Sequence, residues 1–314
     1  MKRKLLPVSI LVLALLLPQT ALAWNSTGHQ LVARIAWENM TPTARENVVA
    51  LLLAAPKDAC LRNLFSKDSR PLEIRQREFF MLASTWPDIV RPGENDTRPC
   101  TRFHQRDWHF INFFWSGTSA DANDPPRDVT NIKMKEINAV ERLRLFRPFV
   151  VSSMPKAERA TDLAWILHLV GDIHQPLHTS ARVTSRPDER QGDQGGNLFL
   201  LNSQKLHGYW DGIVDLSVRR KTGERDQAYL ERVAAMIMAE HPQSALSSRI
   251  QPGQFEAWAR EGLATTKSSV YPASLKRGQT PGEEYRRQAF EISKEAIALG
   301  GYRLAQLLNQ LFGS

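Results

Sequence analysis

Apolar residues recur at helical spacing along most of the chain: in Leu31-Val32-Ile35, in Val48-Val49-Leu52-Leu53, around Ile137-Val140-Leu143, and from Leu163 to Val170. Strand-like alternation is scarce. Start signals agree with helices. Thr41 before Pro42 reads as a cap with proline in the first turn, and Thr43 with Glu46 offers a capping box. Near the end, Tyr285, Ala289, Ile292, Ala296, Leu299, Leu304, Leu308 and Leu311 trace one face of a long closing helix, which Gly300-Gly301 is expected to bend or split. Irregular stretches fall at 91–100, 117–127 and 182–196. With no internal repeat and no dividing linker, the pattern predicts a single all-α helical domain with long irregular loops, spanning 24–314.

The first 23 residues stand apart from this pattern. Lys2, Arg3 and Lys4 precede an apolar run from Leu5 to Leu17, and Ala21-Leu22-Ala23 supplies the small-x-small site after which a signal peptidase cuts. Residues 1–23 are thus expected to be a signal peptide, with the mature chain starting at Trp24. No other apolar run approaches the length of a membrane span, so an exported, soluble product is expected, periplasmic or secreted. The 314 residues are 42% hydrophobic and 24% charged, a balance that excludes disordered and collagen-like chains. The net charge of +8 favours polyanionic partners, and +5 remains once the three basic residues of the leader are gone.

Export bears on the two cysteines. Cys60 and Cys100 can pair in an oxidising compartment, and two thiols alone cannot build a metal site; free thiols are the other reading. Asn25-Ser26-Thr27 and Asn95-Asp96-Thr97 match the glycan acceptor pattern, which matters only in a eukaryotic source.

The chemistry gathers in histidine and aspartate. His168 and Asp172 are four apart in one helical pattern, and His207 and Asp211 are four apart in another, so each pair projects from one helix face. One such pair would be a surface hydrogen bond; two pairs beside further histidines make zinc sites. From His168 to His178 there are three histidines, and Pro176 should end the helix so that His178 turns to a different ion. His174 points to another face and is read as a hydrogen-bonded interior histidine. His104 and His241 are read as surface or loop residues.

Six segments together resemble the S1/P1 nuclease family of the phospholipase C/P1 nuclease superfamily: Trp24 with His29, Trp86-Pro87-Asp88, Trp108-His109-Phe110-Ile111-Asn112, Gly171-Asp172-Ile173-His174-Gln175-Pro176-Leu177-His178, Gly195-Gly196-Asn197, and Leu206-His207-Gly208-Tyr209-Trp210-Asp211. The resemblance runs from Trp24 to Asp211. It implies a mostly helical, three-zinc phosphodiesterase that cuts single-stranded DNA and RNA to 5′-phosphorylated products, with 3′-nucleotidase activity in many relatives. Asp88, His109, His168 and Asp172 would bind the first ion. Asp172 would bridge to a second, held by His29 and by the amino nitrogen and carbonyl oxygen of Trp24, so cleavage before Trp24 would complete the centre. His178, His207 and Asp211 would hold the third.

Three Zn²⁺ against the carboxylates of Asp88, Asp172 and Asp211 leave excess positive charge for a phosphate. In the resemblance Arg91 steadies the phosphoryl oxygens, Asp88 belongs to the catalytic group, Phe110 lies under a nucleobase, and Asn112 reaches the base edge. Read without the resemblance, Phe110 belongs to a buried apolar run and Arg91 is a solvated charge. Asn197 is a substrate-binding or ligand-supporting candidate, with a turn residue as its plain reading. Arg182, Arg186 and Arg190 are candidates for guiding a polyanion, with a solvated loop as the preferred reading. Pro87 stands where many relatives have alanine and Asn112 where some have aspartate. A zinc-dependent phospholipase C and a non-catalytic zinc or nucleic-acid-binding protein are the competing readings. A monomer is expected.

Overall fold

A computed structural model describes residues 24–116 and 127–314. The leader expected over 1–23 and all but the last residue of the irregular stretch 117–127 lie outside the described residues. The architecture is helical, as the periodicity predicts. Helix α1 (Ser26–Asn39) is followed by α2 (Pro42–Leu52), α3 (Leu72–Ala83) and the one-turn α4 (Trp86–Ile89). Next come α5 (Ala139–Phe149), α6 (Lys156–Asp172), the short α7 (Leu206–Asp211) and α8 (Ile213–Ser217), then α9 (Asp226–Glu240), α10 (Gln243–Ile250), α11 (Phe255–Thr265) and α12 (Glu283–Phe312). Among the described residues, no helix is long and apolar enough to cross a membrane.

Thr41 caps α2, its hydroxyl accepting from Ala44 N with Pro42 in the first turn. Thr43 therefore lies inside the helix, and the expected Thr43–Glu46 box is not the cap. Helix α5 starts on Asn138, whose side chain accepts from Val140 N and Glu141 N, which leaves Ile137 outside the helix and half exposed. Every residue of α6 from Leu163 to Asp172 is buried, the mark of a helix enclosed on all sides.

Helix α12 runs unbroken through Gly300-Gly301, contrary to the expected bend. The pair serves close approach instead: a Cβ on Gly301 would stand 2.6 Å from Cβ and Cγ2 of Ile35 on α1, and one on Gly300 would stand 3.2 Å from the His174 ring. Without side chains there, the last helix packs directly on the first, and it also meets α2, α6, α8, α9 and α10.

Two three-residue strands, β1 (Phe113–Trp115) and β2 (Ser180–Arg182), pair in parallel with Phe113 opposite Ser180. Ladder bonds continue toward the site, Ile111 N donating to His178 O at 2.9 Å and Phe113 N to Thr179 O at 3.2 Å. The segment after His109 is thus tied to the segment after His178. Arg182 is the clearest departure from expectation. It is 1% exposed, lies 3.7 Å from Glu189 and 3.9 Å from Asp193, and stacks over Tyr271. It is a buried structural cation, while Arg186 and Arg190 are exposed as expected. Cys60 and Cys100 form a disulfide with a Cα–Cα distance of 5.7 Å.

Candidate metal centre

Six elements deliver side chains to one buried point. Helix α6 brings His168 and Asp172 on one face at its C-terminal end, and α1 brings His29, stacked on His168 with ring centroids 3.9 Å apart. Helix α4 brings Asp88, with Pro87 in its first turn, where a missing N–H costs nothing. A 3-10 turn, Arg106–His109, brings His109. The tight turn Pro176–His178 and α7 supply His178, His207 and Asp211.

Asp172 lies at the middle. Its Oδ1 is 3.4 Å from His29 Nε2 and 3.5 Å from His178 Nδ1, and its Oδ2 is 3.3 Å from both His109 Nδ1 and His168 Nε2. Asp211 Oδ2 is 3.5 Å from His207 Nε2. Three groups have ligand atoms close enough to share an ion: His29, His168 and Asp172; Asp88, His109 and His168; and His178, His207 and Asp211. The third matches the set expected from the sequence, and the first two redistribute the expected ligands around a shared His168. Trp24, wholly buried, packs against Gly28 at the start of α1.

Backbone acceptors fix the tautomers. His168 Nδ1 donates to Ser84 O at 2.8 Å, His178 Nδ1 to His109 O at 2.7 Å, and His207 Nδ1 to Gly195 O at 2.6 Å. Each donation leaves Nε2 as a bare lone pair. Yet His178 Nε2 and His207 Nε2 face each other at 3.0 Å, whereas His168 Nε2 can accept from His109 Nδ1 at 2.9 Å. Two lone pairs facing each other as in the first pair repel unless a cation lies between them. Both Asp172 oxygens, Asp88 Oδ1, Asp211 Oδ2 and both His29 ring nitrogens are likewise buried without a hydrogen-bond partner. Such orphaned donor atoms fit metal coordination and are costly otherwise.

Electrostatics point the same way. Burial, reinforced by neighbouring rings, holds His29 and His109 far below the ordinary histidine pKa, and His178 likewise, opposed by the hydrogen bond it donates to the His109 carbonyl. Burial also lowers His168 to about 3 and His207 to about 4. The imidazoles are therefore neutral at pH 7, the form able to ligate a metal. Burial pushes Asp88 up to about 7, and raises Asp172 and Asp211 well above the carboxylate range. The Asp172 and Asp211 carboxyls therefore favour the protonated form, from which a cation would displace the proton.

Around the ligands, Arg91 follows Asp88 by one turn, its guanidinium 3.8 Å from the carboxylate. Phe110 is half-buried on extended backbone, and its ring does not join the hydrophobic core. Asn112 is half-buried on the same segment. Asn197 donates to Gln194 O and leaves Oδ1 buried without a partner. His174 is an interior histidine as expected, Nδ1 donating to Val170 O and Nε2 accepting from Arg303 at 2.9 Å.

Some supporting residues escaped the sequence reading. Gln175, quoted only as part of a run, donates to Asp211 Oδ1 at 2.6 Å. Ser84 acts through its main-chain carbonyl, which no sequence pattern marks. Asp215 accepts from Asn25 Nδ2 at 2.6 Å, Thr27 Oγ1 at 3.2 Å and Tyr229 OH at 3.1 Å, and so pins the start of α1. Asn25 is thereby engaged and unsuited to a glycan, whereas Asn95 is exposed. His104, read as a loop residue, lies with its ring 6.2 Å from that of His109. His241 adjoins Glu240 and Glu291, whose carboxylates are already bridged by Lys294.

Comparison with known proteins adds a family. The model of the S1/P1 nucleases matches residues 24–313. Nuclease S1 of Aspergillus oryzae is 23% identical over 98% of this chain and 97% of its own. Endonuclease 4 of Arabidopsis thaliana is 26% identical over 94% of this chain and 91% of its own, and Endonuclease 5 of the same plant 23% over 98% and 96%.

Proposed function

The chain belongs to the S1/P1 nuclease family, and from that premise we propose that it is an exported, monomeric endonuclease of one domain that binds three zinc ions. It hydrolyses phosphodiester bonds of single-stranded DNA and RNA to 5′-phosphorylated products, and removes 3′ phosphates from mononucleotides. The observation that carries this reading is the lone-pair contact of His178 with His207, beside three carboxylates with unpartnered oxygens.

The expected ligands are Asp88, His109, His168 and Asp172 for one ion, Trp24, His29 and Asp172 for the next, and His178, His207 and Asp211 for the third. When bound, zinc supplies Lewis acidity toward the phosphoryl oxygens and the attacking water. The chain's own groups do the rest. Asp88, with one oxygen buried and unpartnered, is placed to take up the proton of that water. Attack in line with the P–O3′ bond then leaves phosphate on the 5′ carbon of one product, and the departing O3′ takes a proton from solvent to become the 3′ hydroxyl of the other. Arg91 neutralises charge that grows on the phosphoryl oxygens. Phe110 offers a ring on which a base stacks, with Asn112 and Asn197 as polar contacts, and a base already paired in a duplex must first unstack to reach it.

Metal analysis of the protein starting at Trp24, with turnover of single-stranded DNA, RNA and phosphatidylcholine before and after chelation, tests the reading. Three zinc ions and nucleic-acid cleavage abolished by chelator are expected. Cleavage indifferent to chelator, or preference for phosphatidylcholine, would overturn it.

A further inference from the structure

The loop behind His207 touches two members of the third ligand group. Gly195 O accepts from His207 Nδ1 at 2.6 Å, and a Cβ on Gly195 would stand 2.3 Å from the carbonyl oxygen of Leu177, the residue before His178. The loop is also strained: Gln194, with φ of 54°, precedes Gly195 at 60°, and a side-chain-bearing residue held there costs on the order of 1 to 3 kcal/mol. Something must hold its shape. Asp193, wholly buried, donates from its main-chain nitrogen to Arg182 O at 2.8 Å and accepts with its carbonyl from Leu198 N at 3.1 Å. Its Oδ1 accepts from Arg182 N at 2.9 Å and its Oδ2 from Tyr271 OH at 2.5 Å. Tyr271 comes from far along the chain and is itself fixed: the Arg182 guanidinium lies 4.4 Å from its ring centre, and the rings of Phe199 and Trp115 lie at 5.7 and 5.8 Å. The Arg182 guanidinium nitrogens make no hydrogen bond, so Tyr271, and not the neighbouring cation, supplies the side-chain donor that aims the Asp193 carboxylate.

We propose that Tyr271 and Asp193 are positioning residues for the metal site of His178, His207 and Asp211. The hydroxyl holds the carboxylate, the carboxylate holds the turn that follows it, and the turn presents the Gly195 carbonyl that orients the His207 ring. A ligating imidazole keeps its tautomer and direction through the partner of its other nitrogen, and a carbonyl in a strained turn is such a partner only while the turn keeps its shape. The inference rests on the proposed zinc ligation at this site and names what holds one of its imidazoles, as Gln175 holds its carboxylate.

The test compares Tyr271→Phe, Asp193→Asn and Tyr302→Phe with the parent protein, each loaded with zinc and titrated with a chelator. Tyr271→Phe removes one hydroxyl and keeps the ring contacts. Asp193→Asn keeps the volume but sets an amide N–H against one of its two donors. Each should weaken one ion by roughly three- to tenfold, below the scale for a direct partner of a ligand because the effect passes through the turn, and leave the other ions as tightly held as in the parent. In spectra of protein labelled with nitrogen-15 histidine, the His207 Nδ1–H signal should shift in both variants. Tyr302→Phe is the control: it removes a buried hydroxyl bond of 2.9 Å to His241 O, and should leave both zinc release and the His207 signal as in the parent. Equal weakening of every ion, release unchanged from the parent, or a His207 signal that stays in place in Tyr271→Phe would overturn the positioning role. A parent protein that holds no zinc would sink the zinc reading itself, and the positioning role with it.

Discussion

Gln175 donates from its amide nitrogen to Asp211 and accepts from Leu177 N with its oxygen, so one buried amide fixes both a carboxylate of the third triad and the turn that carries His178. Replacing it with leucine leaves the packing largely filled but removes both bonds. Gln175→Leu is expected to weaken zinc at His178, His207 and Asp211 by roughly ten- to a hundredfold, the usual scale for a lost ligand support. Chelator competition should show one ion released early and two retained. Phe110→Ala removes a stacking surface of about 1 to 3 kcal/mol per base; KM for single strands should rise with zinc content unchanged, and lost zinc would return Phe110 to the core. Of the nine proposed ligands, His168 with Asp172 and His207 with Asp211 were legible from helical spacing, and Trp24, His29, Asp88, His109 and His178 from the resemblance to the S1/P1 nucleases. Gln175 and Ser84 were not, since what they do depends on contacts with Asp211 and His168, far along the chain.

Helix identity was legible from periodicity and from Thr41-Pro42, whereas helix contact was not. Gly300-Gly301 looks like a break because glycine is a poor helix former, yet α12 passes through it because tertiary packing on Ile35 and His174 outweighs a local preference. Arg182 shows the reverse error: a charged residue in a polar stretch looks solvated, but Glu189 and Asp193 make its burial tolerable. Close approach also matters inside the centre. A Cβ on Gly171 would lie 2.6 Å from His29 Nδ1, so α6 can carry only glycine there if His29 is to lie against Asp172. Gly171→Ala improves helix propensity by about 1 kcal/mol but pushes the His29 ring away. Zinc per chain after dialysis is expected to fall by one, and an unchanged content would show that the ring has room to move.

The whole molecule carries the charge consequences of its centre. Among the described residues, His29, His104, His109, His168, His174, His178 and His207 have pKa values lowered, chiefly by burial. Their contribution to stability is complete above the ordinary value near 6.5 and is lost as the pH falls toward the folded values. Asp88, Asp162, Asp172, Asp193 and Asp211, raised by burial, act oppositely: they favour the folded state below the ordinary carboxylate value and lose that contribution as the pH rises through their raised values. Seven imidazoles outnumber five carboxyls in the window between, so the metal-free protein should melt at a lower temperature at pH 5 than at pH 6.5. Thermal melts in excess chelator check this, and a higher midpoint at pH 5 would contradict it. Finally, the seating of α12 on α1 couples the centre to synthesis. The helix that carries His29 is made first and its chief partner last, so a nascent chain still attached to the ribosome lacks the surface that holds His29 in place. Loosening the contact of α12 with α1 is therefore expected to reach the centre through His29.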